Sequence, residues 1–156
     1  MLMGDLEKEG IAELIEKQPA ATLDVDAMKV GHHGSYNATT DALLQRLTPE
    51  VAVIEMGPAS RQVTWSAYAY GHPRREAIDL LMKYIKQPRQ SEPIKVLVGV
   101  AHEEFIEQEI PVAIYGTGWD GTVILEADTN GSIRAIVHGL TSEPVPPTLD
   151  PHQRAE

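Results

Sequence analysis

Two adjacent histidines, His32 and His33, stand between Gly31 and Gly34, directly after an apolar stretch ending at Val30. Ser35 follows them, and an aspartate, Asp5, stands near the front of the chain. Imidazole and carboxylate are common ligands of hydrolytic metal ions, and strand ends are where a rigid scaffold presents them. The pattern points to part of a metal-dependent hydrolase site. Neighbouring side chains on a strand face opposite ways, so both rings serve one metal only where the backbone turns. Gly31 and Gly34 permit such a turn. The chain has no cysteine, so disulfides are excluded and any metal is held by His, Asp or Glu.

Each of these residues has a plainer reading beside the chemical one. Asp5 fits a helix N-cap. The histidine pair fits a polar turn at a strand end. Ser35 either donates to a phosphate oxygen or caps the next helix. His72, followed by Pro73, fits another N-cap. Arg61, Arg74 and Arg75 are candidate phosphate contacts, or simply solvated charges. Trp65, Tyr68 and Tyr70 either stack on a base or an organic leaving group, or pack their loop over a sheet. His102, His138 and His152 are expected to lie outside the chemistry. Glu103, Glu104, Glu107 and Glu109 read as a solvated acidic face.

The elements that must position these groups alternate. Residues 1–4 are expected to form a short buried strand. A helix is expected from Asp5, with Leu6, Ala12, Leu14 and Ile15 on one face and Pro19 ending it. A second strand is expected over 23–30. Thr39 or Thr40 is expected to cap a helix carrying Leu43, Leu44 and Leu47. Val51-Ala52-Val53-Ile54 reads as a buried strand, parallel to its predecessors because a helix intervenes. Residues 57–70 are expected to form an irregular loop. Gly71-His72-Pro73 then opens a helix with a stripe of Ile78, Leu81, Met82 and Ile85, its proline in the first turn. After a loop over 87–93, short strands are expected at 96–100, 112–115, 122–125 and 133–137. Glycine turns at 118–121 and 128–131 make the last three a β-meander. The order predicts an α/β class.

The chain has 156 residues with 42% hydrophobic and 23% charged, ordinary for one soluble domain with a core. That domain is expected over 1–140, and the proline-rich residues 141–156 are expected to be a disordered tail. The formal net charge of −10 disfavours general binding of polyanions. A metal ion or a local basic patch can reverse the sign at a site. No apolar run reaches the roughly 20 residues of a membrane helix, and the start lacks the features of a signal peptide.

Three stretches together resemble a known family: Met3-Gly4-Asp5-Leu6-Glu7, then Met28-Lys29-Val30-Gly31-His32-His33-Gly34-Ser35, then Tyr70-Gly71-His72-Pro73. Ile114-Tyr115-Gly116-Thr117 and Gly121-Thr122-Val123 add to the likeness. They resemble the C-terminal half of a metallo-β-lactamase-fold hydrolase, an αββα sandwich with mixed β-sheet and flanking helices. The nearest branch is the hydrolase domain of the ComEC competence (DNA-uptake) proteins and its soluble relatives. The resemblance implies a phosphodiesterase-type site with two divalent metal ions, zinc or manganese. It implies that Asp5 bridges the ions, that His33 is a ligand with His32 as a substrate contact or the reverse, and that His72 lies near the site mouth. The family's His-x-His-x-Asp-His cluster is absent. The chain therefore looks like half a domain lacking its N-terminal half, with few or no bound metals by itself.

The expected function is hydrolysis of a small-molecule or nucleic-acid phosphoester by a metal-activated water. Alternatives are hydrolysis of a lactone or thioester on the same fold, or a metal-free structural or interaction module. Half a sandwich leaves an apolar sheet face open, so self-association or low stability is expected. A bacterial cytoplasmic location is expected.

Overall fold

Val51–Ile54 is an unbroken apolar run, and it forms the centre of a three-stranded sheet. The computed structural model describes residues 1–60, 63–102 and 104–140. Arg61, Glu103 and the expected tail over 141–156, with His152, lie outside the described residues. The sheet runs β1 (Ala27–Lys29), β2 (Val51–Ile54) and β5 (Ile114–Gly116), all parallel, with Met28 opposite Ala52 and Ala52 opposite Ile114. These three side chains are buried.

Parallel neighbours need a crossover. Between β1 and β2 it is α3 (Asp41–Leu47). The Thr40 hydroxyl accepts from the Leu43 N–H and caps it, and Thr48 ends it in a left-handed conformation. Leu43, Leu44 and Leu47 are fully buried, each contributing about 1.5–3 kcal/mol. α4 (Arg75–Tyr84) buries Ala77, Ile78 and Leu81 beside α3 and the strand β3 (Ile94–Ala101). α1 (Lys8–Lys17) buries Ile11, and the single turn α2 (Ala20–Leu23) buries Leu23. β3 pairs antiparallel with β4 (Glu104–Ile110), and β6 (Val123–Ala127) with β7 (Ile133–Val137), as two separate hairpins. The molecule is a mixed α/β structure with flanking helices. No helix among the described residues is long and apolar enough to cross a membrane.

Several expectations need correction. Residues 1–4 make only an isolated bridge, Leu2 to Lys29, because Gly4 turns the chain away at φ 54°. The first helix starts at Lys8 behind Glu7, so Asp5 caps nothing. Pro73 precedes the N-cap residue Arg74, so neither His72 nor Pro73 belongs to the helix. The strand expected over 23–30 shortens to β1, because Ala20–Leu23 coil into α2. The β-meander does not form: β5 inserts in parallel beside β2, and only β6 and β7 pair with each other. The acidic stretch is strand β4, whose glutamates at 104, 107 and 109 are solvent-exposed.

The second face of the parallel sheet is half-covered. An open groove of about 460 Å³ runs there, lined among others by Met1, Leu2, Val53, Val123 and Leu125. Leu2 is exposed beside it.

Candidate functional site

The carboxyl ends of parallel strands are where α/β sheets present ligand-binding groups. β1 ends at Lys29, and the Val30 N–H donates to the Val53 carbonyl at 2.8 Å. The chain then turns left-handed through His32 (φ 44°), His33 (φ 54°) and Gly34 (φ 81°). Such a conformation costs a side-chain-bearing residue about 1–3 kcal/mol, and it persists only where surroundings over-determine it. Three backbone bonds do so here. The His32 N–H donates to the Gly4 carbonyl at 2.9 Å, Ser35 N–H to His32 at 3.0 Å, and Arg74 N–H to Gly34 at 2.9 Å. A Cβ at Gly34 would sit 2.9 Å from the Pro73 Cβ, so only glycine fits that approach. The segments carrying Asp5, the histidine pair and His72 are thus tied together through the backbone.

The three imidazoles converge. The His32 ring centre lies 5.4 Å from that of His72 and 6.2 Å from that of His33. His33 Nδ1 lies 2.5 Å from the Glu55 carbonyl oxygen, which only accepts, so Nδ1 carries the proton. His32 Nδ1 lies 3.1 Å from Glu7 Oε1, a carboxylate oxygen that accepts the hydrogen bond Nδ1–H donates. With Nδ1 as the donor, Nε2 is the nitrogen left to supply a lone pair. Carbonyl and carboxylate partners on the far nitrogen are what metal-ligating histidines usually have. His72 differs: it is buried, and its Nδ1 has no hydrogen-bond partner. Burial, with His32, His33 and Arg74 beside it adding to the effect, pushes its pKa down to about 4.

The other expected residues are placed less uniformly. Asp5 is exposed in the Gly4 turn, and its carboxylate makes no hydrogen bond among the described residues. Ser35 is buried and donates to the Asn37 side chain; the helix cap it was expected to supply comes from Thr40. Arg74 donates to the Val100 carbonyl at 3.3 Å and pairs with Glu76 at 3.3 Å. Arg75 pairs with Asp79, one helical turn away. Tyr68 packs on Phe105 with ring centres 5.5 Å apart, so it fixes its loop, whereas Trp65 and Tyr70 are exposed. Glu7 and the Glu55 carbonyl are the partners that the sequence reading missed. Glu7 was hidden by its helix-start position, and a backbone carbonyl has no sequence signal.

The donor chemistry fits a borderline cation such as zinc. Asp5 and His33 are the side chains that would hold it, with His32 beside them. The donor number is short: among the described residues no three His, Asp or Glu side chains are grouped closely enough to hold an ion.

Over 84 residues the chain is 37% identical to ComE operon protein 3 of Bacillus subtilis (strain 168). The likeness is to a ComE operon protein. The match takes in 54% of this chain and 10% of that protein, so the chain corresponds to a small part of a much longer relative. No family model and no solved structure matches.

Proposed function

We propose that this chain is the C-terminal half of a metallo-β-lactamase-fold hydrolase that cleaves phosphoesters. The observation that carries the reading is the left-handed turn after β1. It gathers His32, His33 and His72, with the first two rings holding their protons on Nδ1 against Glu7 and Glu55. A strained, glycine-flanked turn that leaves two Nε2 lone pairs available has a plain use in binding a metal. Two divalent ions, zinc or manganese, would supply an activated water and charge stabilisation at phosphorus.

The chain's own residues then have distinct roles. Asp5 and His33 would hold the ions. His32 would accept at Nε2 the proton that the attacking water loses, and Glu7 would stabilise the resulting imidazolium, as a carboxylate does behind a catalytic histidine. His72, kept neutral by burial, offers substrate an uncharged hydrogen bond. Ser35 and Arg74 border the turn as proposed phosphate contacts. The missing ligands would come from the other half of the domain. The open groove beside β1 favours a second reading, a metal-free interaction module.

The two readings separate on metal content by elemental analysis and hydrolysis of a chromogenic phosphodiester with added zinc or manganese. In a longer protein carrying both halves, His33→Ala is expected to lower hydrolysis by at least a hundredfold. Full activity in that variant would remove His33 from the site.

A further inference from the structure

Tyr36 is exposed although Ser35 before it and Ala38 after it are buried. Two cations reach its ring: the Lys8 ammonium at 5.4 Å and the Arg74 guanidinium at 6.0 Å from the ring centre. All three are chain neighbours of the histidine cluster. Lys8 follows Glu7, which holds His32. Tyr36 follows Ser35 at the end of the left-handed turn, and Arg74 donates its N–H to Gly34. The bonds that gather the imidazoles therefore also place this ring and its two cations beside them.

The chain carries 23 acidic and 13 basic side chains, so two cations around one solvent-facing ring run against its overall field. Lys8 forms no ion pair among the described residues. Arg74 is fixed by Val100 and Glu76 and is mostly shielded from solvent. An exposed cation–π contact is worth only about 0.5–1 kcal/mol, too little to give the cluster a large structural role. A ring held in water beside two positive charges is prearranged to meet a planar group joined to an anion.

We infer that Tyr36, Lys8 and Arg74 form a substrate subsite that receives a phosphate ester bearing a flat ring. The ring lies against Tyr36, and the phosphate charge is met by Lys8 and Arg74. The inference rests on the phosphoester reading but concerns recognition, not cleavage, so it is tested by binding alone.

The test is calorimetric titration of the chain, in excess chelator, with phenyl phosphate, inorganic phosphate and phenol. Phenyl phosphate is expected to bind about tenfold more tightly than either of the others. Tyr36→Ala is expected to bring its affinity down to that of inorganic phosphate, and Tyr36→Phe to preserve it. Lys8→Gln is expected to weaken both phosphates. Equal affinity for phenyl and inorganic phosphate, no binding of either, or an unaltered affinity in Tyr36→Ala would overturn the inference. Circular dichroism confirms that the exposed substitutions leave the fold intact. A separate zinc titration of a longer protein carrying both halves tests the metal centre: if zinc fails to bind there while phenyl phosphate recognition persists, the catalytic reading falls and the subsite stands.

Discussion

His72 shows most directly how a single side chain couples the site to the fold. Its buried imidazole has a pKa of about 4, against an ordinary value of 6.5. The unfolded chain takes up a proton below pH 6.5 where the folded chain does not, so stability rises with pH in that window. The contribution is complete above pH 6.5 and is lost progressively as pH falls toward 4. Thermal melts of the metal-free protein are expected to show a midpoint that drops between pH 6.5 and 4, and His72→Asn is expected to flatten that drop. An identical pH profile in the variant would show that His72 is not buried in the neutral form. At this scale the turn that carries the candidate site was legible in the sequence. The two histidines between glycines pointed to a turn, because no straight strand puts adjacent rings on one side. What stayed hidden was the set of partners on the ring nitrogens: Glu7 resembles any acidic first-turn residue, and the Glu55 carbonyl belongs to the backbone.

Among the elements, the turn after β1 is the one whose failure disperses the site. Gly34 sits at φ 81° with Pro73 against its α-carbon. Gly34→Ala combines a left-handed cost of about 1–2 kcal/mol with that contact, and loss of that size or more is expected in chemical denaturation. An unchanged denaturation midpoint would mean that the turn relaxes freely. The local elements were readable where local physics decides them. Thr39 or Thr40 with the Leu43, Leu44 and Leu47 stripe announced α3, and the apolar run 51–54 announced β2. The pairing of β5 with β2 was not readable, because it joins Ala52 to the sequence-distant Ile114 and leaves no local pattern. β4 was obscured because glutamates at 104, 107 and 109 break the apolar alternation that marks a strand. The turn at Gly118–Gly121 looked like a hairpin, yet the Asp120 carboxylate instead accepts from the Gly116 N–H.

At the level of the whole molecule, a buried ion pair joins the loop after α4 to the end of the sheet. Arg89 and Asp120 pair at 2.5 Å with side chains only 2% and 4% exposed. Arg89 also donates to the Ile114 carbonyl and lies over the Tyr115 ring at 4.5 Å. Removing one partner leaves a buried charge unpaired, so Asp120→Ala is expected to cost about 3–5 kcal/mol in equilibrium unfolding. Replacing both residues by apolar ones of similar volume is expected to cost much less. A neutral Asp120→Ala would mean that water reaches Arg89.

The central claim is that His32 and His33 hold their protons on Nδ1, leaving Nε2 of His33 for a metal and Nε2 of His32 for a proton. Nitrogen-15 NMR of the imidazoles tests it, first in metal-free protein and then on titration with zinc. Both rings are expected to appear as the Nδ1–H tautomer, with zinc shifting Nε2 of His33. Nε2–H tautomers in the free protein, or rings indifferent to a large excess of zinc, would contradict it.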